Sequence, residues 1–492
     1  MSTDKSNSYL ASFNARLEAA ETMLPLIGQL WRNRGVPTYV YGVPLHLKSP
    51  SDILKAHRSA RHLARQELNA VETCQIVQAI AALDLRPARI DVGKLLVRYQ
   101  EQGEGQDLQA FVARELSGLP TGNQPMRSEP QDIILYGFGR IGRLLTRLLI
   151  ERMGGGERFR LRAIVTRPGK DGDLAKRADL LRRDSVHGPF RGTVTLDPED
   201  RGMVINGNLV HLVYANAPEE ADYTSLGIKD AVVIDNTGIW RDEKGLGRHL
   251  KAPGVSKVIL TAPGKGGVPN IVFGLNQGEL SESDAIVSAA SCTTNAIAPV
   301  LKAVHDRFGI QSGHVQSVHA YTNDQNLIDN YHKKERRGRS AALNMVITET
   351  GAASAVAKVC PDLAGKLTAN AIRVPTPNVS MAIMTLNLQT QITREELNGY
   401  LLGLSLESPL QYQIDYTTSP DIVSTDLVGN RAASIVDSHA TLVHSDGDKC
   451  TLYVWYDNEF GYACQVVRLL EHLARVQPPV YPPPSAQAAS AR

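Results

Sequence analysis

The sequence predicts an α/β protein whose N-terminal domain is mostly α-helical, and three observations carry that prediction. Apolar residues recur at helical spacing over residues 51–70 and again over 107–116. From Asp132 to about residue 290, strand-like and helix-like segments alternate, the pattern of a parallel sheet flanked by helices. Beyond that, apolar β-rich runs over 381–388 and 449–455 stand among loops, as in an α+β domain.

A chain of 492 residues is too long for one simple core and divides into about two to four domains. Hydrophobic residues at 42% and charged residues at 21% place it among soluble globular proteins. The formal net charge is +2 with acids and bases interspersed, so bulk electrostatics offers nothing to nucleic acid or a membrane. A local basic patch from Lys333 to Arg339 nevertheless suits a small anionic ligand. Five cysteines (Cys74, Cys292, Cys360, Cys450, Cys464) form no CxxC or CxxH spacing, which argues for reduced thiols and against a disulfide frame or a metal site. Met1 to Leu10 lacks a signal-peptide core and no apolar run reaches membrane-spanning length, so the expectation is a soluble, cytoplasmic protein.

Residues 1–127 read as a helical extension and linker. Val36-Pro37-Thr38-Tyr39-Val40-Tyr41-Gly42-Val43-Pro44 is extended or turn-rich between its helices, and two Pro-rich turns mark the linker over 119–131. Residues 128–291, completed by 455–476, form the alternating domain, and 292–454 form the α+β domain. The prolines at 478–479 and 482–484 predict a disordered tail over 477–492.

The strand-like Asp132-Ile133-Ile134-Leu135-Tyr136 runs into Gly137-Phe138-Gly139-Arg140-Ile141-Gly142 and then a helix-like segment. This is GxGxxG in the context its chemistry needs. Gly137 allows the tight turn, Gly139 admits a pyrophosphate to the backbone, and Gly142 lets helix and strand pack closely. With Arg140 and Ile141 in the same turn, the helix N-terminus faces the phosphates. The domain is therefore expected to be a Rossmann-type NAD(P)-binding domain beside an α+β catalytic domain. The second strand, residues 160–165, ends at Thr166-Arg167 with Lys170 close by, where an NAD site normally offers a carboxylate to the ribose 2′-hydroxyl. No acid stands there, so a 2′-phosphate is tolerated and Arg167 attracts it, and the cofactor expectation is NAD or NADP with a lean to NADP.

Ser291-Cys292-Thr293-Thr294-Asn295 precedes a helix-like run, and His319 follows the cysteine by 27 positions. Backbone N–H groups and the helix dipole favour a thiolate at Cys292, and a histidine brought alongside forms an ion pair with it and handles protons.

Further motifs follow: Asp184-Ser185-Val186-His187-Gly188, His319-Ala320-Tyr321-Thr322-Asn323-Asp324-Gln325, Thr350-Gly351-Ala352-Ala353, Arg373-Val374-Pro375-Thr376-Pro377-Asn378-Val379-Ser380 and Trp455-Tyr456-Asp457-Asn458-Glu459-Phe460-Gly461-Tyr462. With these, the chain from about Asp132 to about Arg475 resembles the phosphorylating glyceraldehyde-3-phosphate dehydrogenase family, in a long form with an extra N-terminal helical region. The resemblance implies oxidation of glyceraldehyde 3-phosphate with NAD(P) and inorganic phosphate to 1,3-bisphosphoglycerate, through a thioacyl adduct on Cys292 with His319 as proton acceptor. It places Thr322 and Arg373 in the pocket for the substrate phosphate, and Ser291, Arg337, Thr350 and Gly351 with the attacking phosphate, with Thr293 also among the substrate- or phosphate-binding residues. Thr237, Gly238, Thr261, Asn458 and Tyr462 become cofactor contacts, Asn458 holding the nicotinamide carboxamide. His187 is given a structural role. A homotetramer is implied, with no metal.

Departures lie on the cofactor side: Tyr136 stands where the family usually has Asn, and the acid after the second strand is missing. An erythrose-4-phosphate dehydrogenase is the nearest rival, but Tyr321 to Asp324 and Pro377 to Val379 keep the phosphorolytic pattern. A scaffold or regulatory binding protein acting through residues 1–127 is the rival of another class. It fits the extra region but not the retention of Cys292, His319 and the anion-binding residues.

Overall fold

The computed structural model describes residues 2–64, 67–103, 105–122, 126–199 and 201–485, apart from the side chains of 2–5, 62 and 64. The chain divides into two compact units, one of Met1–Pro130, Met153–Arg158 and Val476–Pro484, the other of Gln131–Arg152, Phe159–Arg475 and Ser485–Arg492. The boundary thus falls at Pro130 rather than 127, and Met153–Arg158 joins the first unit. The reason is close backbone approach: a Cβ on Gly155 would stand 2.6 Å from the Arg32 carbonyl oxygen.

In the first unit a long helix, α1 (Ser2–Arg34), buries Ala20, Met23, Ile27 and Leu30 along one stripe. A hairpin of β1 (Thr38–Val40) and β2 (Val43–Pro44) follows, then α2 (Pro50–Ala64), α3 (Ala70–Ala82), β3 (Arg89–Asp91), α4 (Val92–Gln102) and α5 (Leu108–Glu115). Asn69, Asp91 and Asp107 cap α3, α4 and α5 by accepting backbone N–H bonds. The Asp91 carboxylate also accepts from the N–H groups of Tyr41 and Gly42 in the hairpin turn, so one side chain fixes both a helix start and a turn.

The predicted disordered tail is corrected here. Val480–Tyr481 is a strand parallel to β3, closing a four-stranded sheet, and Tyr481 is buried at 6% exposure with its hydroxyl donating to Glu115. Prolines serve this edge because their carbonyls still accept: Arg89 N–H donates to Pro479 O at 2.8 Å. Residues 486–492 of that expectation lie outside the described residues.

The second unit holds two eight-stranded sheets. The first runs through β4 (Gln131–Tyr136), α6 (Arg140–Arg152), β5 (Phe159–Thr166), α7 (Asp173–Arg182), β6 (Val194–Asp197), β7 (Gly202–Ile205), β8 (Asn208–Tyr214), β9 (Ala231–Asp235), α8 (Glu243–Leu246), β10 (Val255–Leu260) and β11 (Ile286–Ser288). Its order is β11-β10-β9-β4-β5-β8-β7-β6. The six strands from β11 to β8 are parallel, and β7 and β6 add an antiparallel edge. This is a Rossmann-type sheet, whose parallel strands are buried on both faces: all five residues of β9 are buried.

The second sheet is mixed. It is built from α9 (Cys292–Phe308), β12 (Ile310–Ala320), β13 (Val346–Thr348), α10 (Ala352–Val359), β14 (Leu367–Val374), β15 (Ser380–Leu388), α11 (Arg394–Glu407), β16 (Ile414–Thr417), β17 (Ser434–Asp437), β18 (Leu442–Val443) and β19 (Lys449–Tyr456), with α12 (Phe460–Leu473) after it. Its order is β13-β14-β12-β15-β19-β17-β16, with β18 on β19. Helix α9 lies in its core, burying Ile297, Val300, Leu301 and Val304 with Met384, Leu401 and Leu452. Among the described residues no helix is long and apolar enough to cross a membrane.

Candidate active site

The cysteine sits at the first position of α9. Ser291 precedes it in extended conformation and its Oγ accepts from Thr294 N–H at 3.0 Å, the N-cap that makes this sequence start a helix there. Ser291, expected at an anion pocket, is thus committed to the cap and to a 2.6 Å contact with Thr294 Oγ1. Ala290, just before it, has a positive φ of 55°, backbone strain of about 1–3 kcal/mol held in place by a Tyr462 hydroxyl that donates to its carbonyl at 2.9 Å.

Cys292 Sγ lies 3.5 Å from His319 Nε2. The imidazole comes from the last turn of β12, where strand register sets it beside Arg373 of β14. Arg373 Nη1 lies 2.7 Å from His319 Nδ1 and donates to Ala320 O at 2.9 Å, while that carbonyl is itself 2.7 Å from Nδ1. Burial pushes the Cys292 thiol up, and the Arg373 charge pulls against it. Burial, then Arg373, holds the His319 pKa down to about 3. Burial thus works against both charged forms of the expected thiolate–imidazolium pair, and the cation that favours the thiolate is Arg373.

Thr293 turns inward. Its hydroxyl lies 3.1 Å from the Tyr456 hydroxyl, which also meets Ser317 Oγ at 2.9 Å, so Thr293 ties the start of α9 to β19.

Thr322 and Arg337, read from separate motifs as ligands for two different anions, share one carboxylate. Asp324 accepts from the Thr322 hydroxyl and from Arg337 Nη1, and Arg337 Nη2 also donates to Thr348 Oγ1 at 3.0 Å. Burial works against the Asp324 anion, but the Thr322 hydrogen bond and the Arg337 charge hold its pKa below the usual carboxylate range. Asp324 therefore engages, as an internal anion, the two side chains that the resemblance assigns to separate phosphates. Thr350 and Gly351 stand at the start of α10, where the Thr350 hydroxyl accepts from Ala352 N–H at 3.2 Å, and no hydrogen bond among the described residues joins them to Arg337.

At the other sheet the glycine turn has the geometry a dinucleotide needs. Gly137 has a φ of 101°, and a Cβ on Gly142 would meet the Gly137 carbonyl oxygen at 2.4 Å. A Cβ on Gly139 would project into open space, the side on which a phosphate approaches the start of α6. Arg140 and Ile141 begin that helix. The Arg140 guanidinium points elsewhere, donating to Glu459 Oε2 at 2.6 Å and to Asp184 at 3.4 Å, so its part in the turn is played by its backbone. Thr237 and Thr261 are both tied to Asp235 at the end of β9, Thr237 through its N–H and hydroxyl to Oδ1 at 2.7 Å, Thr261 to the backbone oxygen. Gly238 follows with a φ of 62°. Buried Asp235 is held in turn by His249 Nε2 at 3.0 Å, and Tyr136 packs edge-on against that ring.

Thr166 is buried at the end of β5 with its hydroxyl unpartnered, and Arg167 is exposed beside it. The sequence shows no acid at this strand end, yet the fold returns one. Asp173, at the start of α7, accepts from the hydroxyl of Tyr214, the register neighbour of Thr166, and from Arg177 Nε at 2.6 Å. Arg177 already pairs that carboxylate, so its presence does not restore an unencumbered ribose ligand.

Asn458 lies between β19 and α12, and its side-chain oxygen accepts from Ser380 Oγ at 2.8 Å, a bond in which its NH₂ takes no part. Ser380 also accepts from Ala320 N–H at 3.1 Å, joining Asn458 to the His319 strand, and its neighbour Val379 is strained at φ 63°. His187 sits in a polar knot, 3.4 Å from Asp457 and 3.2 Å from Asn378 Nδ2. Burial opposes the neighbouring Asp184 anion, but N–H groups of His187 and Val186 and the Arg140 charge bring its pKa to about 2. Sequence reasoning missed Asp324, Ser380, Asp235 and Tyr456. Asp324, Ser380 and Tyr456 lie inside quoted motifs, whereas Asp235 lies in none.

Residues 291–458 match the family described as "Glyceraldehyde 3-phosphate dehydrogenase, C-terminal domain" and residues 131–243 match "Glyceraldehyde 3-phosphate dehydrogenase, NAD binding domain". The chain is 56% identical over 462 residues to a "Glyceraldehyde-3-phosphate dehydrogenase-like protein" of Pseudomonas aeruginosa, covering 94% of this chain and 100% of that protein. It is 38% identical to the plasmid glyceraldehyde-3-phosphate dehydrogenase of Cupriavidus necator, covering 70% of this chain and 99% of that protein. To the glyceraldehyde-3-phosphate dehydrogenase of Streptococcus pyogenes it is 39% identical, covering 70% of this chain and 98% of that one.

Proposed function

The chain belongs to the glyceraldehyde-3-phosphate dehydrogenase family, in a long form with an N-terminal helical region, and from that premise we propose that it is a phosphorylating enzyme. It oxidises glyceraldehyde 3-phosphate, with inorganic phosphate as second substrate, to 1,3-bisphosphoglycerate. The observation that carries this reading is the 3.5 Å approach of Cys292 Sγ to His319 Nε2 at the N-terminus of α9.

Cys292 Sγ adds to the aldehyde carbon, and the hydroxyl of that adduct gives its proton to His319 as a hydride leaves the same carbon. When bound, NAD or NADP supplies the hydride acceptor. A phosphate oxygen then attacks the thioester carbon, the C–S bond breaks, acyl phosphate departs, and the sulfur takes back the proton held by His319, restoring the thiol. Arg373 and Thr322 receive the substrate phosphate, and Arg337, Thr350, Gly351 and the Ser291 region receive the attacking phosphate. Gly137, Gly139 and Gly142 receive the pyrophosphate, with Thr237, Gly238 and Thr261 beside it, and Asn458 orients the carboxamide. Arg167 supports use of NADP. The protein works in the cytoplasm, where its five unpaired cysteines stay reduced, as a homotetramer.

The test is turnover and adduct trapping with Cys292→Ser. Loss of at least 10³-fold in kcat with no acyl adduct on the variant is expected. A variant that oxidises triose phosphate at the parent rate, or a parent whose rate ignores phosphate, removes the proposal.

A further inference from the structure

A cavity of about 790 Å³ opens beside the proposed phosphate pocket and is lined by Arg241, Lys265, His332, Lys333, Lys334 and Arg337. Two carboxylates line it, and both are engaged, Asp324 with Arg337 of the same wall. Asp242 accepts from Gly245 N–H to cap α8, and Asp324 is held by Thr322 and Arg337. Arg241 bonds only the Gly238 carbonyl, and Lys265, Lys333 and Lys334 have no ion-pair partner among the described residues. The walls are nonetheless ordered. Lys265 N–H donates to Arg241 O at 2.7 Å, and Lys334 N–H to His332 Nδ1 at 2.9 Å.

Several uncompensated cations around one concavity repel each other and focus a positive potential into it. A volume of this order holds a ligand much larger than one phosphate. The glycine turn of residues 137–142 and the Thr166-Arg167 strand end are not among the lining residues but Gly238 is, so the cavity borders the proposed cofactor site without containing its pyrophosphate cradle or the end of β5. Arg337 belongs both to this wall and to the proposed pocket for the attacking phosphate.

The geometry points to a regulatory site for a ligand carrying two or more linked phosphoryl groups, which competes with inorganic phosphate through Arg337. The competition rests on the phosphorylating reading above; the binding does not. Inorganic tripolyphosphate supplies the charge alone, and ATP supplies the same charge on a nucleoside.

The experiment measures tripolyphosphate and ATP binding by calorimetry without aldehyde, and initial rates across phosphate concentrations, for the full-length parent, K265A, and K265A/K333A/K334A. Expected are tripolyphosphate binding by the parent, inhibition competitive with phosphate, and a Kd at least tenfold higher in the triple variant with kcat unchanged. K265A alone should weaken binding measurably, which keeps the test decisive if the triple variant misfolds. Tripolyphosphate binding unaffected by these substitutions overturns the site, as does ATP binding that survives the triple variant and is displaced by dinucleotide alone. If tripolyphosphate binds as expected but the parent shows no phosphate-dependent oxidation, the functional reading fails and the binding site stands.

Discussion

Arg373 Nη1 stands 2.7 Å from His319 Nδ1, across neighbouring positions of two parallel strands. A guanidinium only donates, so this contact asks for a lone pair on Nδ1 and puts the ring hydrogen on Nε2, facing Cys292. The Ala320 carbonyl, also 2.7 Å from Nδ1, favours the opposite tautomer. The two contacts compete to set which ring nitrogen carries the hydrogen.

Arg373→Met removes the cation that favours the thiolate, so the Cys292 thiol moves further up. Iodoacetamide labelling at pH 7.5 should slow by about tenfold for each pKa unit of that rise. KM for triose phosphate should rise together with the loss in kcat. Unchanged labelling would show that Arg373 does not set thiol reactivity.

His319 gives stability a pH signature. Its folded pKa of about 3 lies below its ordinary value of 6.5, so the unfolded chain takes up the proton first. The contribution is complete above about pH 6.5 and is lost as pH falls toward 3. Melting temperatures between pH 7 and 4 should fall less steeply for His319→Gln than for the parent. Parallel slopes would count against a neutral buried ring.

At the end of β5, Arg167→Asp should cut kcat/KM for NADP at least tenfold and leave that for NAD within a few-fold, since a carboxylate repels the 2′-phosphate. Arg177→Met frees Asp173 from its 2.6 Å partner and should shift preference toward NAD in the same sense. Steady-state kinetics with both dinucleotides decides; an undiminished NADP rate in Arg167→Asp refutes this account of the strand end.

Tyr481 is buried in the first unit and bonded to Glu115, with Arg98 over its ring. Tyr481→Ala should cost about 3 kcal/mol of that unit's stability, measured by urea unfolding. A cost below about 1 kcal/mol would mean the strand adds little.

Signals confined to a short stretch were readable before the fold was known. Gly137, Gly139 and Gly142 carry their meaning in local backbone geometry, and Ser291 before Cys292 is a cap in any context. Relationships that depend on distant pairing were not. Asp324 becomes an internal anion only because Thr322 and Arg337 converge on it. Asp173 returns to the β5 end through Tyr214, a neighbour created by sheet register. Burial, which the sequence does not display, works against the expected pair of thiolate and imidazolium. The tail reads as disordered because prolines weaken a strand alone, while an existing edge can still bond their carbonyls.

The small sheet of the first unit takes three strands from residues 38–91 and its fourth from residues 480–481. A ribosome must therefore pass residue 475, and with it nearly all of the second unit, before the first can be closed. The earliest part of the nascent polypeptide waits with an open edge, exposed to chaperones and to pairing with other chains, until that late segment arrives.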